Sequence, residues 1–322
     1  HSKSHKTSAI AELQIEAGAV GICCAKLAEA EAMAAAGIGA ILVTSPIAGA
    51  AKAERAAMLA ATLPDFRIVI DHADGAAELG AAAKGPIQVL IDVDPGMGRS
   101  GVHDAAQAVE VFRAIAAQPN LKFLGVQCYG GTWQHIAGAN ARAAAVADGM
   151  AYLSTVIAAL REAGAKINVV TGGGTGSFAA DAAQGVLSEV QPGSYPFMDR
   201  DYRDALQGDP DGAFEQSLVI ATTVISANHP EWVTVDGGLK AFSTDGPMPV
   251  ALTPKFADSA YRFFGDEHGR LARPPEAVAR GERVDFAPGH IDPTLDRYDV
   301  IYLVRGDTLV EIAPVEARGA SQ

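Results

Sequence analysis

Apolar positions over residues 1–200 come in two alternating textures. Short, continuously apolar runs cover residues 19–25, 40–45, 67–71, 88–94, 123–129, 167–172 and 189–195. Between them, Ala-rich stretches at 26–36, 50–63, 104–117 and 141–163 repeat their apolar positions with helical spacing. Runs that do not alternate in polarity predict strands buried on both faces. Strand–helix alternation predicts parallel strands joined by crossover helices. Seven strands are predicted in this way, and a helix at 8–17 opens the chain with no strand ahead of it. One more strand, ahead of residue 1, would complete the eight of a (β/α)8 barrel. An open, doubly wound seven-stranded sheet satisfies the same periodicity; the barrel is the expected architecture.

Beyond about residue 211 the texture changes. Strand-like runs at 217–227, 232–236, 240–243, 300–304 and 309–312 are joined by Pro/Gly-rich loops, with a turn expected at 259–264. The division expected is a barrel over 1–210 and a C-terminal β-rich domain over 211–322.

Composition narrows the partners. Hydrophobic residues make up 49% of the 322 and charged ones 20%, which excludes a disordered chain. Twenty-five Lys+Arg against 38 Asp+Glu leave a net charge of −13, and no basic run interrupts it. A nucleic-acid partner is therefore not expected. No apolar run reaches the ~18 residues a bilayer requires, so no membrane partner is expected either. Cys23, Cys24 and Cys128 are too few for a disulfide scaffold and read as reduced thiols of a cytoplasmic protein.

Candidate chemistry clusters where barrel enzymes keep it, at the C-terminal ends of the strands. The run 167–172 leads into Thr171-Gly-Gly-Gly-Thr-Gly-Ser177, and the last run ends in Gln191-Pro-Gly-Ser-Tyr195. Two small-residue, hydroxyl-bearing loops at these positions suit a phosphate, although glycine loops also simply mark turns. Lys3, at the expected end of the missing strand, would face that cradle and suits a Schiff base to pyridoxal phosphate. A solvated basic end accounts for it equally. Asp94-Pro-Gly-Met-Gly-Arg99 puts an arginine on the same rim, where a structural ion pair is the alternative. Gln127 and Tyr129 share one strand face, and Gln134 and His135 lie in the following loop. On an extended segment His290 and Asp292 face the same side and offer one metal a nitrogen and an oxygen. A surface loop with an Asx turn leading into Pro293 explains the same residues.

Taken together in order, His1-Ser-Lys-Ser-His-Lys6, Gly21-Ile-Cys-Cys-Ala-Lys26, Asp94–Arg99, Thr171–Ser177, Gln191–Tyr195, Asp236–Asp245, Asp266–Gly269 and Pro288-Gly-His-Ile-Asp-Pro-Thr294 resemble the D-threonine aldolases. These belong to the alanine-racemase-like, fold-type III pyridoxal-phosphate enzymes. The resemblance implies a barrel followed by a β domain, with Lys3 as the cofactor lysine and the first strand lying ahead of residue 1. It implies a phosphate cradle of Gly173, Gly174, Thr175, Gly193, Ser194 and Tyr195, with Arg99 at the cofactor ring and Gln127, Tyr129 and His135 nearby. His290 and Asp292 become ligands of a hard divalent cation, Mn²⁺ or Mg²⁺, and His135 a candidate base. The implied reaction is retro-aldol cleavage of a D-β-hydroxy-α-amino acid to glycine and an aldehyde, by a homodimer. Dehydration of D-serine or 3-hydroxyaspartate, or cleavage of β-hydroxyaspartate, is the rival on the same fold. A non-catalytic pyridoxal-phosphate carrier is a more distant rival, because such carriers lack a β domain.

Overall fold

The computed structural model describes residues 1–209 and 214–322. The expected boundary between 210 and 211 lies outside the described residues. The first half runs α1 (Ser8–Glu16), β1 (Ile22–Cys24), α2 (Leu27–Ala35), β2 (Ala40–Val43), α3 (Ala50–Thr62), β3 (Asp65–Ile70) and α4 (Ala73–Ala82). It continues β4 (Ile87–Val93), α5 (Ala105–Ala116), β5 (Leu121–Cys128), α6 (Ala139–Glu162), β6 (Val169–Gly172), α7 (Phe178–Gln184), β7 (Glu189–Val190) and α8 (Arg200–Ala205). All seven expected strands form, parallel and in sequence order, as one curled sheet. The strands curl into a barrel that stays open between β1 and β7, its two edges among the described residues.

Residues 1–6 cross that gap at the C-terminal rim. The His1 amino group donates to Pro192 O (2.8 Å) and Ser4 Oγ to Gly193 O (2.6 Å) on the β7 side. Ser2 Oγ donates to Cys23 O (3.0 Å) on the β1 side. Lys3 sits between these anchors, in a single 3-10 turn (Ser2–Ser4).

The strands are mostly apolar because the sheet is covered on both faces; six of the seven β4 residues are buried. Helix α6 corrects one expectation, since by length and composition it is apolar enough to cross a membrane. Here its apolar stripe of Val146, Met150, Leu153, Val156 and Leu160 is buried in the barrel core, which explains the composition.

The second half contains β8 (Ile220–Ser226), β9 (Trp232–Val235), β10 (Val250–Ala251), β11 (Tyr261–Phe263), β12 (Gly269–Ala272) and β13 (Arg283–Ala287) in one six-stranded sheet. Then come α9 (Ile291–Leu295) and a hairpin of β14 (Val300–Arg305) and β15 (Thr308–Pro314). Two expectations are corrected here. Residues 240–243 form a turn, because Gly238 presses the chain against residues 266–268 while Gly237 makes room for Phe242, left as a buried plug. Residues 261–263, expected as a turn, form β11 and pair with β12. Aromatic packing closes this core around Phe242, Phe256, Tyr261 and Phe286. A separate apolar cluster ties the halves together: Ile10 and Phe197 from the barrel side meet Ile291, Leu295, Ile301 and Val315.

Candidate active site

A cleft at the C-terminal rim is lined by Lys3, Arg99, Gln127, Tyr129, Gly174, Thr175, Gly193, Ser194 and Tyr202, among others. The structure thus brings together most of the residues expected around the cofactor. Gly173 does not line the cleft; it turns the backbone at φ +68°, and a Cβ there would meet Asp181. Tyr195 contributes its backbone, while its hydroxyl turns away to accept from Gln14 Nε2 (2.9 Å).

The anion end of the cleft is built on β6 and β7. The amides of Ser194 and Tyr195 converge on Thr175 Oγ1 at 3.0 and 3.1 Å, the paired-amide geometry that suits a phosphate oxygen. Behind it, Ser177 Oγ donates to Asp181 Oδ2 (2.6 Å) and accepts from Gln134 Nε2 (2.8 Å). Gln134 Oε1 in turn accepts from the Gly176 amide (2.9 Å), so this side chain pins the glycine loop from the β5 side. Gln127 is committed as a donor: its amide group donates to Asp92 Oδ1 (2.8 Å) and Thr44 O (2.9 Å), and its oxygen accepts from Gln191 (3.1 Å). It forms the floor of the cleft, and Arg99 lies over the Tyr129 ring at 5.3 Å.

At the other end Lys3 Nζ meets Asp292 Oδ2 at 2.7 Å. Burial depresses the Lys3 ammonium, but Asp292 and Tyr129 outweigh it and hold its pKa above the ordinary value. Burial pushes the Asp292 carboxyl up, and Lys3 overrides it, leaving that pKa below the ordinary value. Among the described residues Asp292 Oδ1 is buried without a hydrogen-bond partner.

The route by which His290 and Asp292 reach the site differs from expectation. His290 is extended, but Asp292 lies in the first turn of α9, so the pair does not share an extended face. Pro293 permits this because the first turn of a helix needs no amide from it. Ile291 is fully buried in the inter-half apolar cluster. His290 Nδ1 bonds to Asp245 Oδ2 (2.7 Å), and among the described residues Nε2 has no hydrogen-bond partner. Burial works against Asp245, yet the His290 contact holds its carboxyl below the ordinary value. His135 pairs through Nδ1 with Asp201 Oδ2 (3.2 Å) and packs on Tyr202 (ring centroids 4.6 Å). Burial lowers its pKa, Asp201 opposes this, and His290 and Lys3 add to the lowering.

Both implied groups fit these residues. Converging amides and a lysine share one cleft, as pyridoxal phosphate requires. The unpartnered Asp292 oxygen and a histidine oriented by a carboxylate are the donor set of a hard cation. Among the described residues no cluster of three or more His, Cys, Asp or Glu side chains forms, so protein ligands would fill only part of a shell.

Sequence reading passed over Asp199, Asp201, Asp245 and Asp181, and gave Gln134 no role. Only Asp199 carried a signal, as an Asp directly before a short helix; the others act through contacts distant in sequence.

Residues 1–201 match the model of the alanine racemase N-terminal domain, and residues 217–304 that of a putative serine dehydratase domain. The chain is 36% identical over 327 residues to the 3-hydroxy-D-aspartate aldolase of Paracoccus denitrificans (strain Pd 1222), covering 99% of this chain and 84% of that protein. It is 36% identical over 328 residues to the D-threonine aldolase of an Arthrobacter species, covering 100% and 85%. The crystal structure of D-threonine aldolase from Filomicrobium marinum matches with a TM-score of 0.95 at 37% identity, over 100% of this chain and 88% of that one. The chain belongs to the D-threonine aldolase-like carbon–carbon lyases built on the alanine-racemase fold.

Proposed function

We propose that this enzyme cleaves a D-β-hydroxy-α-amino acid, such as D-threonine or D-β-hydroxyaspartate, to glycine and an aldehyde. The observation that supports the reading is the 2.7 Å contact of Lys3, the proposed cofactor lysine, with Asp292, the proposed metal carboxylate. Lys3 would carry pyridoxal phosphate, with its phosphate at the Thr175, Ser194 and Tyr195 end. Bound there, the cofactor supplies an electron sink conjugated to the substrate Cα. His290 Nε2 and Asp292 Oδ1 would hold Mn²⁺ or Mg²⁺, whose chemistry is Lewis acidity at the β-hydroxyl.

The protein's own work is positional and protolytic. His135, with Nδ1 engaged by Asp201, presents Nε2 as the acceptor of the β-hydroxyl proton. Loss of that proton breaks the Cα–Cβ bond and releases the β carbon as an aldehyde; protonation at Cα gives glycine. Arg99 and Tyr129 border the ring, and Gln127, already saturated with partners, keeps the floor rigid. A homodimer is the assembly we propose.

The test is a product assay on the enzyme supplied with pyridoxal phosphate and Mn²⁺. D-threonine should yield glycine and acetaldehyde, and D-β-hydroxyaspartate glycine and glyoxylate. A 2-oxo acid with ammonia instead would assign dehydration. Lys3→Ala should lose both turnover and the visible absorbance of the lysine-bound cofactor.

A further inference from the structure

We propose that Asp199 is a positioning residue that holds His290 and Asp292 against the barrel. Its carboxylate is fully buried and serves two helices at once. Oδ1 accepts from the Tyr202 amide at 3.0 Å, capping α8 on the barrel side. Oδ2 accepts from the Ile291 amide at 2.9 Å, 92 residues away, capping α9 on the β-domain side. His290, the residue that begins α9, makes no side-chain cap of its own because its ring is turned to Asp245. Asp199 supplies the cap that His290 gives up.

The backbone completes the join. The Arg200 amide donates to Pro288 O (3.0 Å) and the Asp201 amide to Gly289 O (3.2 Å). The Asp201 carboxylate also lies 3.2 Å from His135 Nδ1. One three-residue segment therefore fixes the proposed base and the proposed metal pair relative to each other. Ile291, held through its amide, is locked by its side chain against Ile10 and Phe197. The two amides approach different oxygens of Asp199, so asparagine would set an NH₂ group against one of them. Loss of such support around a metal ligand typically weakens metal binding about 10–100-fold.

The inference rests on the proposed metal role of His290 and Asp292, and the experiment separates the two. Mn²⁺ affinity is measured by electron paramagnetic resonance on the cofactor-loaded enzyme, for wild type, Asp199→Asn and Asp199→Ser. Cofactor affinity is titrated in parallel without metal. We expect the Mn²⁺ Kd to rise about tenfold or more in both variants, while the cofactor Kd stays within about twofold because its cradle lies on β6 and β7. An unchanged Mn²⁺ Kd in either folded variant overturns the proposal. So does a matching loss of cofactor affinity, which would mark general loosening. A wild type that binds no Mn²⁺ refutes the metal reading itself. Should neither variant fold, amide exchange in the wild type decides. Ile291 protected like the barrel core supports the clamp, and Ile291 exchanging like an exposed loop overturns it.

Discussion

Replacing Gly176 by alanine tests the glycine loop where its packing is tightest. A Cβ on Gly176 would lie 2.0 Å from the backbone oxygen of Gln134, with no flexible side chain to yield. Restoring an ordinary contact of 3.4 Å requires the loop to retreat by about 1.4 Å. That retreat strains the packing by about 1–3 kcal/mol. It also breaks the hydrogen bonds from the Gly176 amide to Gln134 and from Gln134 to Ser177, at about 1 kcal/mol each. The empty loop can relax part of this total of about 3–5 kcal/mol, but a loop wrapped on a phosphate cannot. If only a third of it falls on the bound state, cofactor affinity drops about tenfold. The assay is an absorbance titration of the cofactor-free enzyme with pyridoxal phosphate, alongside thermal unfolding. Gly185→Ala is the control: that position has φ +63° with open space around it, so alanine there costs about 1–2 kcal/mol of stability and leaves cofactor affinity alone. A Gly176→Ala enzyme that binds cofactor within threefold of wild type would refute the cradle.

Two further outcomes follow from the other end of the cleft. EDTA should abolish cleavage and Mn²⁺ or Mg²⁺ restore it, and Asp292→Ala should lower turnover about 100-fold or more while keeping the cofactor absorbance; full activity in the stripped enzyme removes the cation. The acid limb of kcat/KM should lie below the ordinary imidazole value of 6.5, because burial favours neutral His135. Asp201→Asn removes the group that opposes this lowering, so the limb should move further down as kcat falls; a limb that rises would take His135 out of the base role.

The barrel was legible because its signal is repeated. Seven apolar runs of similar length, four of them followed by a legible helical stretch, announce parallel strands covered on both faces. The helices missed there, α4, α7 and α8, are short or rich in Gly and Asp, so their apolar stripes are brief. The second half was harder to read, since β10 has two residues and β11 three; β10 owes its existence to pairing with the distant β13, and β11 to pairing with β12 across a short connection. The site divides in the same way. Lys3 and the glycine loops follow from position along the barrel, and the resemblance adds His290 and Asp292. The helix beginning at Ile291 was hidden, because its cap is supplied by Asp199 from another part of the chain. Gln134 and Asp245 likewise acquire a role only when distant loops meet.

The acidic groups around the cleft sort by environment in a way that gives the site a direction. Burial pushes Asp92, Asp181 and Asp199 up to about 6. All three are spent on framework: Asp92 on Gln127 and Ser100, Asp181 on Ser177, Asp199 on two helix amides. Asp292 and Asp245 are also desolvated, but Lys3 and His290 hold them below the ordinary carboxylate value, so they stay ionised across the neutral range. Fixed negative charge is therefore concentrated beside Lys3, where a cation is wanted. The β6–β7 end uses amides and hydroxyls, and its nearest buried carboxylate, Asp181, faces Ser177 and the back of Gly173. A phosphate is repelled from the first end and received at the second. On the proposed function, that polarity would let the β6–β7 end hold the cofactor's phosphate and Lys3 its reactive carbon, leaving Asp292 to meet the substrate hydroxyl at the bond to be cleaved.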